Sequence, residues 1–440
     1  VHGAHRVRGH REAMSADRPR ALALVDGEHY PDVVRAAFEE LPYEVVAAVM
    51  LGGTEKISGG EDYGVPLHDD LDAGLGAAAP EVVLDLSDEP VLDAPTRFRL
   101  ASRALAAGVP YVGSDFRLEP VAFEPFDRPS LAVIGTGKRV GKTAVAGHVA
   151  RLLAQDREVV VVAMGRGGPP DPVVVDVPPT VESLLELARS GRHAASDYLE
   201  DAALAEVVTV GCRRCGGGLA GQPFISNVHA GARVAAAEDP DLVIFEGSGA
   251  ALPPVESHAR ILVAGAAQEL HSVAGYLAPY RLLVSDLVVV TGCEEPLASP
   301  ERLRAIRDAI REVDPDLEVV ETILRPRPVE SVEGRRVAFF STAPEPIHAR
   351  LREHLEEEHG ADVVLVSGNL SRRDALRADL ERAGGADVFL VEIKAAAIEV
   401  VAEAAAEAGV DVVFADNAVV ANDDDFGERV RALVDARVAA

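Results

Sequence analysis

The chain has 440 residues, with 43 basic against 72 acidic side chains and a net charge of −29. That length suits two to three domains with room for buried cores, and no apolar run approaches a membrane span. A field this negative repels phosphate backbones, which argues against general nucleic-acid binding. No apolar signal segment opens the chain, and three cysteines cannot staple a secreted scaffold, so a soluble cytoplasmic protein is expected.

Residues 1–20 are polar, rich in Arg and His, and read as a disordered tail. From Ala21 onward, apolar strands alternate with helical stretches. ALALVDG (21–27) is a strand ending in turn residues, and Pro31 opens a helix to about Glu40. EVVAAVML (44–51) is a second strand, followed by a glycine-rich loop that carries Lys56. EVVLDLS (81–87), a helix over 94–107 and VPYVGS (109–114) complete an amino-terminal Rossmann-like parallel sheet domain over 21–114. Three prolines and few periodic apolar residues make 115–129 an interdomain linker.

A second α/β domain over 130–300 begins with SLAVIG (130–135) and adds strands at 157–165, 241–247, 259–265 and 286–292. A helix at 300–312 leads into a carboxy-terminal α/β extension over 301–440, with strands at 335–343, 361–369, 386–394 and 410–417.

The strongest local signal is Gly135-Thr136-Gly137-Lys138-Arg139-Val140-Gly141-Lys142-Thr143, directly after a strand and directly before a helix. Such a loop turns consecutive N–H groups and a helix N-terminus towards phosphate oxygens. Lys142 would reach the β- and γ-phosphates of a nucleotide, and the Thr143 hydroxyl would hold Mg²⁺. The glycine spacing departs from the usual P-loop pattern, with Thr136 where the first glycine should stand and Gly135 one residue earlier. Glu246 ends a buried strand, where a carboxylate can hold Mg²⁺ opposite that loop. Arg166, Arg213 and Arg214 lie among glycines and are candidates for a substrate bearing several negative charges. Asp26, Glu28 and His29 follow the first strand at its carboxyl end, where ligands of open α/β sheets collect.

Only four lysines occur: Lys56, Lys138, Lys142 and Lys394. A halophilic surface or a GC-rich genome would remove lysine wherever arginine suffices, so the survivors mark places where a compact ammonium is required. Cys212-x-x-Cys215 could join Cys293 and His229 around zinc, but a packed thiol pair is the simpler reading.

VDGEHYP (25–31), LGGTEKI (51–57), GTGKRVGKT (135–143), MGRGGP (164–169), GCRRCGGGLAG (211–221), FEGSGAALPP (245–254), VEIKAAAIEV (391–400) and VFADN (413–417) together resemble the cyclic 2,3-diphosphoglycerate synthetases. The P-loop stretch alone is also similar to that of dethiobiotin synthetase. The resemblance implies ATP-dependent closure of 2,3-diphosphoglycerate into a cyclic pyrophosphate, with release of ADP and phosphate. Mg²⁺ is implied as cofactor, and K⁺ dependence as a family trait. On that reading Lys142, Lys138 and Glu246 are the catalytic candidates, while Arg166, Arg213, Arg214, Lys56 and Lys394 face the substrate; Lys56 and Lys394 are equally open to being structural salt-bridge partners. The small anionic metabolite is then the partner, with no nucleic acid and no membrane, and homo-oligomerisation stays open. Two alternatives remain: another P-loop ligase or kinase acting on a different anionic metabolite, and a nucleotide-switched binding protein or metallochaperone.

Overall fold

The computed structural model describes residues 18–53, 62–394, 397–422 and 425–438. The tail up to residue 17 and Lys56 therefore lie outside the described residues. Two compact units divide at Glu119 and Pro120.

The first unit holds strands β1 (Arg20–Val25), β2 (Glu44–Met50), β3 (Leu67–His68), β4 (Val82–Asp85), β5 (Tyr111–Val112) and β6 (Arg117–Leu118). Their order is β3-β2-β1-β4-β5-β6, parallel throughout except for β6 at the edge. Ala21 to Val25 are buried because helices cover the sheet, which is why the run reads as continuously apolar. The helices Leu71–Ala78 and Ala94–Ala106 start on caps, Asp70 accepting from Ala73 N (2.8 Å) and Asp93 from Thr96 N (2.9 Å). Gly74 lets the first of these approach the sheet, since a Cβ there would lie 2.9 Å from Leu22 Cδ2. The chain leaves β1 towards β2 on one side and returns as β4 on the other, so a switch point lies between the carboxyl ends of β1 and β4.

The second unit is built on one 13-stranded sheet. Its strands are β7 (Ser130–Gly135), β8 (Val159–Gly165), β9 (Val173–Val175), β10 (Val208–Cys215), β11 (Ile225–Ser226), β12 (Leu242–Glu246) and β13 (Ala259–Gly265). They continue with β14 (Leu287–Thr291), β15 (Glu318–Pro328), β16 (Arg336–Phe340), β17 (Asp362–Ser367), β18 (Val388–Glu392) and β19 (Asp411–Ala421). The order is β11-β10-β8-β12-β7-β13-β14-β15-β19-β18-β16-β17, with β9 paired to β10. Strands β10, β8, β12, β7, β13, β14 and β15 run parallel; β19 then pairs antiparallel to β15 and starts a second parallel set. Residues 301 onward thus supply β15 to β19 to the same sheet.

Two long strands escape the sequence pattern. β15 carries Pro326 and Pro328, which read as breakers, but both fall in its antiparallel stretch against β19 rather than in the parallel pairing with β14. β10 ends in Arg213 and Arg214, whose charge hides the apolar Val208–Cys212 start. The segment 115–129 also carries structure: β6 closes the first sheet, and Glu124 bridges to Val255. The core beneath the nucleotide loop joins Leu131 and Val133 of β7 to Val145, Val149 and Leu153 of the helix Lys142–Leu153. Phe426, Val430 and Val434 of the helix Phe426–Val438 pack against the same core. Among the described residues no helix is long and apolar enough to cross a membrane.

Candidate functional site

Strand β7 ends at Gly135, and the loop from Thr136 to Gly141 leads into the helix Lys142–Leu153. Gly141 caps that helix at φ +77°, and a Cβ there would lie 2.9 Å from Leu324 Cδ1, so the turn requires glycine on both counts. The loop is braced from two neighbouring strand ends. Thr136 N donates to Val263 O (3.0 Å) and its hydroxyl to Gln268 Oε1 (2.6 Å), while Thr291 Oγ1 donates to Val140 O (2.8 Å). Gly265 N also donates to Gln268 Oε1 (2.9 Å). Lys138 and Arg139 are exposed on the loop, whereas Val140 is buried.

Lys142 is buried and its ammonium pairs with Glu246 Oε1 at the carboxyl end of β12. Burial opposes the charge on Lys142, but the carboxylates of Glu246, Asp197 and Asp201 outweigh it and hold the ammonium above its ordinary range. Burial likewise works against ionised Glu246, and Lys142 overcomes it, keeping that carboxyl low. The Thr143 hydroxyl lies beside the same carboxylate, yet Glu246 Oε2 has no partner in hydrogen-bonding geometry.

Three further carboxylates, not anticipated from the sequence, come from the helix Asp197–Ala205. Glu200 and Asp201 each stand one helical turn after Asp197, so they flank it along one side of the helix. Burial followed by the charge of Glu246 pushes Asp197 and Asp201 up, and burial pushes Glu200 to about 8. Lys394, which follows β18, closes this face with Nζ 3.4 Å from Glu200 Oε1. The spacing in Asp197-Tyr-Leu-Glu200-Asp201 reads in sequence as an ordinary solvated helix face, so only the packing reveals its burial.

The arginines separate. Arg214 Nη2 donates to Ser248 O (2.7 Å), and Arg166 and Arg214 both border Gly249 in the turn after Glu246. Burial, then the charge of Arg166, lowers the Arg214 guanidinium from its usual range, as expected for two cations gathered without an anion. Arg213 is exposed, and successive residues on a strand face opposite ways, so it does not join them. The same alternation parts the cysteines: Cys212 is buried against Gly231 with its thiol pushed up to about 12, and Cys215 is exposed. Among the described residues no three of His, Cys, Asp and Glu gather into a metal site.

In the first unit, the switch point gathers Asp26, Glu28 and His29 with Asp88. Asp26 accepts from Glu28 N (3.0 Å), Asp88 N (2.7 Å) and His29 Nδ1 (2.7 Å). Next to it on the sheet, Asp85 accepts from Ser87 Oγ (2.5 Å), Arg97 Nε (2.6 Å) and Tyr111 OH (2.8 Å).

Three family models match the chain. They are described as cyclic 2,3-diphosphoglycerate synthetase N-terminal domain over residues 20–119, P-loop domain over 130–323 and C-terminal domain over 328–418. The cyclic 2,3-diphosphoglycerate synthetase of Rubrobacter xylanophilus is 55% identical over 419 residues, covering 91% of this chain and 94% of its own length. That of Methanothermus fervidus is 42% identical over 442 residues, covering 94% of this chain and 96% of its own length. Among solved structures, LpxK of Aquifex aeolicus aligns at 14% identity with a TM-score of 0.41, over 71% of this chain and 90% of that one.

Proposed function

The chain belongs to the cyclic 2,3-diphosphoglycerate synthetase family, and on that premise we propose how its residues carry out the family reaction. The enzyme is an ATP-dependent synthetase with a P-loop nucleotide site. It closes 2,3-diphosphoglycerate into an intramolecular pyrophosphate and releases ADP and phosphate.

The observation that carries the residue assignment is the buried Lys142–Glu246 pair directly beneath the loop. Lys142 leaves Glu246 for the β- and γ-phosphates when ATP enters, and the loop N–H groups from Gly137 to Thr143 cradle the same oxygens. The γ-phosphoryl passes in line to one substrate phosphate, so that a P–O bond to ADP breaks and a pyrophosphoryl group forms. The neighbouring phosphate then attacks that group and expels inorganic phosphate, closing the ring. Nucleophile and electrophile are both anions, so positioning and charge neutralisation set the rate. Arg166 and Arg214, gathered around the Gly249 turn, supply that neutralisation, with Lys138 and Arg139 exposed on the loop for the same purpose. Lys394 answers to Glu200 and sets the position of the acidic helix. Arg213, exposed on β10, has no part in this assignment.

The residues present fit a hard divalent cation, because Glu246 Oε2 is buried without a partner and the Thr143 hydroxyl is next to it. Mg²⁺ held there would neutralise charge on the transferring phosphoryl group. K⁺ is carried over from the family, and the three free cysteines suit a reducing compartment.

Incubation with ATP, Mg²⁺, K⁺ and 2,3-diphosphoglycerate, followed by phosphorus NMR, tests the reading. ADP, phosphate and a cyclic pyrophosphate signal should appear together, and replacing K⁺ by Na⁺ should slow them. ATP consumed without the cyclic signal would overturn the assignment.

A further inference from the structure

The buried acidic face of the helix Asp197–Ala205 is larger than the Lys142–Glu246 pair can use. Asp201 is 2% exposed, and apart from the side-chain hydrogen bond its raised carboxyl makes to Glu246, its oxygens meet no donor among the described residues. Glu246 Oε2 is likewise buried, with Asp201 and the Thr143 hydroxyl as its side-chain neighbours. Two adjacent buried carboxyl groups are therefore held together by a shared proton beside the Lys142 ammonium, positions that a divalent cation can take over.

The local charges point the same way. Four carboxylates (Asp197, Glu200, Asp201 and Glu246) face Lys142 and Lys394, with Arg166 near Asp197. Lys394 is engaged with Glu200. Once Lys142 turns to the nucleotide phosphates, Glu246 and Asp201 keep no ammonium between them. Asp201 and Glu246 suit a cation that takes one or two carboxylates and completes its shell with phosphate oxygens and water.

We infer that Asp201 is the second carboxylate of the cation site, facing Glu246 across a divalent ion, and that in the nucleotide-free protein the Lys142 ammonium stands in for that ion. This rests on the nucleotide-site reading above. Binding of nucleotide with its metal is then an exchange: Lys142 moves to phosphate as the divalent cation takes its place between the two acids. Asp197, at the half-buried start of the same helix, contributes field rather than a bond to the ion.

The test uses Mn²⁺ as probe, monitored by electron paramagnetic resonance with the full-length enzyme and the non-hydrolysable analogue AMPPNP. Asp201→Asn should weaken Mn²⁺ in the ternary complex about tenfold or more, while AMPPNP affinity measured without metal is unchanged or raised. A Mn²⁺ affinity within about twofold of wild type would overturn the inference, as would a loss seen in Asp197→Asn but not in Asp201→Asn. If Asp201→Asn does not fold, Asp201→Glu carries the test. It keeps the charge but alters the reach, so weakened Mn²⁺ binding supports the inference and wild-type binding defeats it. A wild-type enzyme that takes up neither AMPPNP nor Mn²⁺ would instead bring down the nucleotide-site reading itself.

Discussion

The two units each bury carboxylates at the carboxyl ends of a parallel sheet, yet they treat them in opposite ways. In the first unit, Asp26 and Asp85 each accept at least three hydrogen bonds. Burial works against an ionised Asp26, but the bonds from Asp88 N and His29 prevail and hold its carboxyl below the usual value. In the second unit, Asp201 meets no backbone or cationic donor, and only Glu246, itself paired with Lys142, hydrogen-bonds its side chain. Burial and mutual repulsion drive Asp201 well above the ordinary carboxylate range. A saturated carboxylate builds a loop; an unsatisfied one keeps its affinity for something that arrives later.

That contrast can be broken from both sides. The largest effect is expected for Lys142→Met, which should lower cyclic product formation by about 10³-fold or more, in the range of lost transition-state charge stabilisation. Its far-UV circular dichroism should remain that of wild type. Near wild-type turnover would show that the buried Lys142–Glu246 pair is structural, like its counterparts in the first unit.

Asp85→Ala strikes the saturated side. It strands Arg97 and Tyr111, so chemical denaturation should show a loss of about 3 kcal/mol. AMPPNP binding by the second unit should survive once the protein is folded. A variant that kept its stability but lost nucleotide would mean that the first unit's carboxylates belong to the nucleotide site.

His148 tests burial without carboxylates. It lies in the middle of the helix Lys142–Leu153, accepting from Val419 N (3.4 Å), and burial with Arg151 and Arg327 nearby lowers its pKa to about 4. The folded value lies below that of the unfolded chain, so the folded state binds fewer protons between them. The stabilisation is complete above about pH 6.5 and is lost as pH falls towards 4, on the order of 3 kcal/mol over that window. Thermal melts of His148→Asn should show a shallower acid decline between those limits than wild type. Parallel pH profiles would refute the buried neutral ring.

The smallest effect concerns the arginines that alternate on β10. Arg214→Ala should raise KM for 2,3-diphosphoglycerate about tenfold, the equivalent of one charge-assisted contact. Arg213→Ala should leave KM within about twofold, as expected of a rim charge. Equal effects would place both guanidinia at the substrate and contradict the strand alternation.

Much of this was legible in the linear chain because it depends on local chemistry. Continuous Val, Leu and Ile runs gave away the parallel strands, since only sheets covered on both faces tolerate them. The run Gly135 to Thr143 announced its loop and helix start through glycine placement alone. The scarcity of lysine singled out Lys56, Lys138, Lys142 and Lys394; of these, Lys142 and Lys394 are paired with buried carboxylates and Lys138 is exposed on the loop. Strand periodicity could also have separated Arg213 from Arg214 once β10 was recognised as a strand.

Other features required the fold. Nothing in the local pattern distinguishes the Asp197-Tyr-Leu-Glu200-Asp201 face from an ordinary solvated one. It is the packing of its helix beside β8 and β10, with Lys394 brought over from the end of β18, that strips these carboxylates of water. The extension of one sheet across β15 and β19 was equally hidden, because strand pairing is a long-range property that Pro326 and Pro328 disguised. The sequence alone thus determined where the loop and helix start lie and which charges sit beside them, through backbone freedom and charge type. Only the tertiary structure decided which acids are buried away from water, because desolvation depends on neighbours distant in the chain.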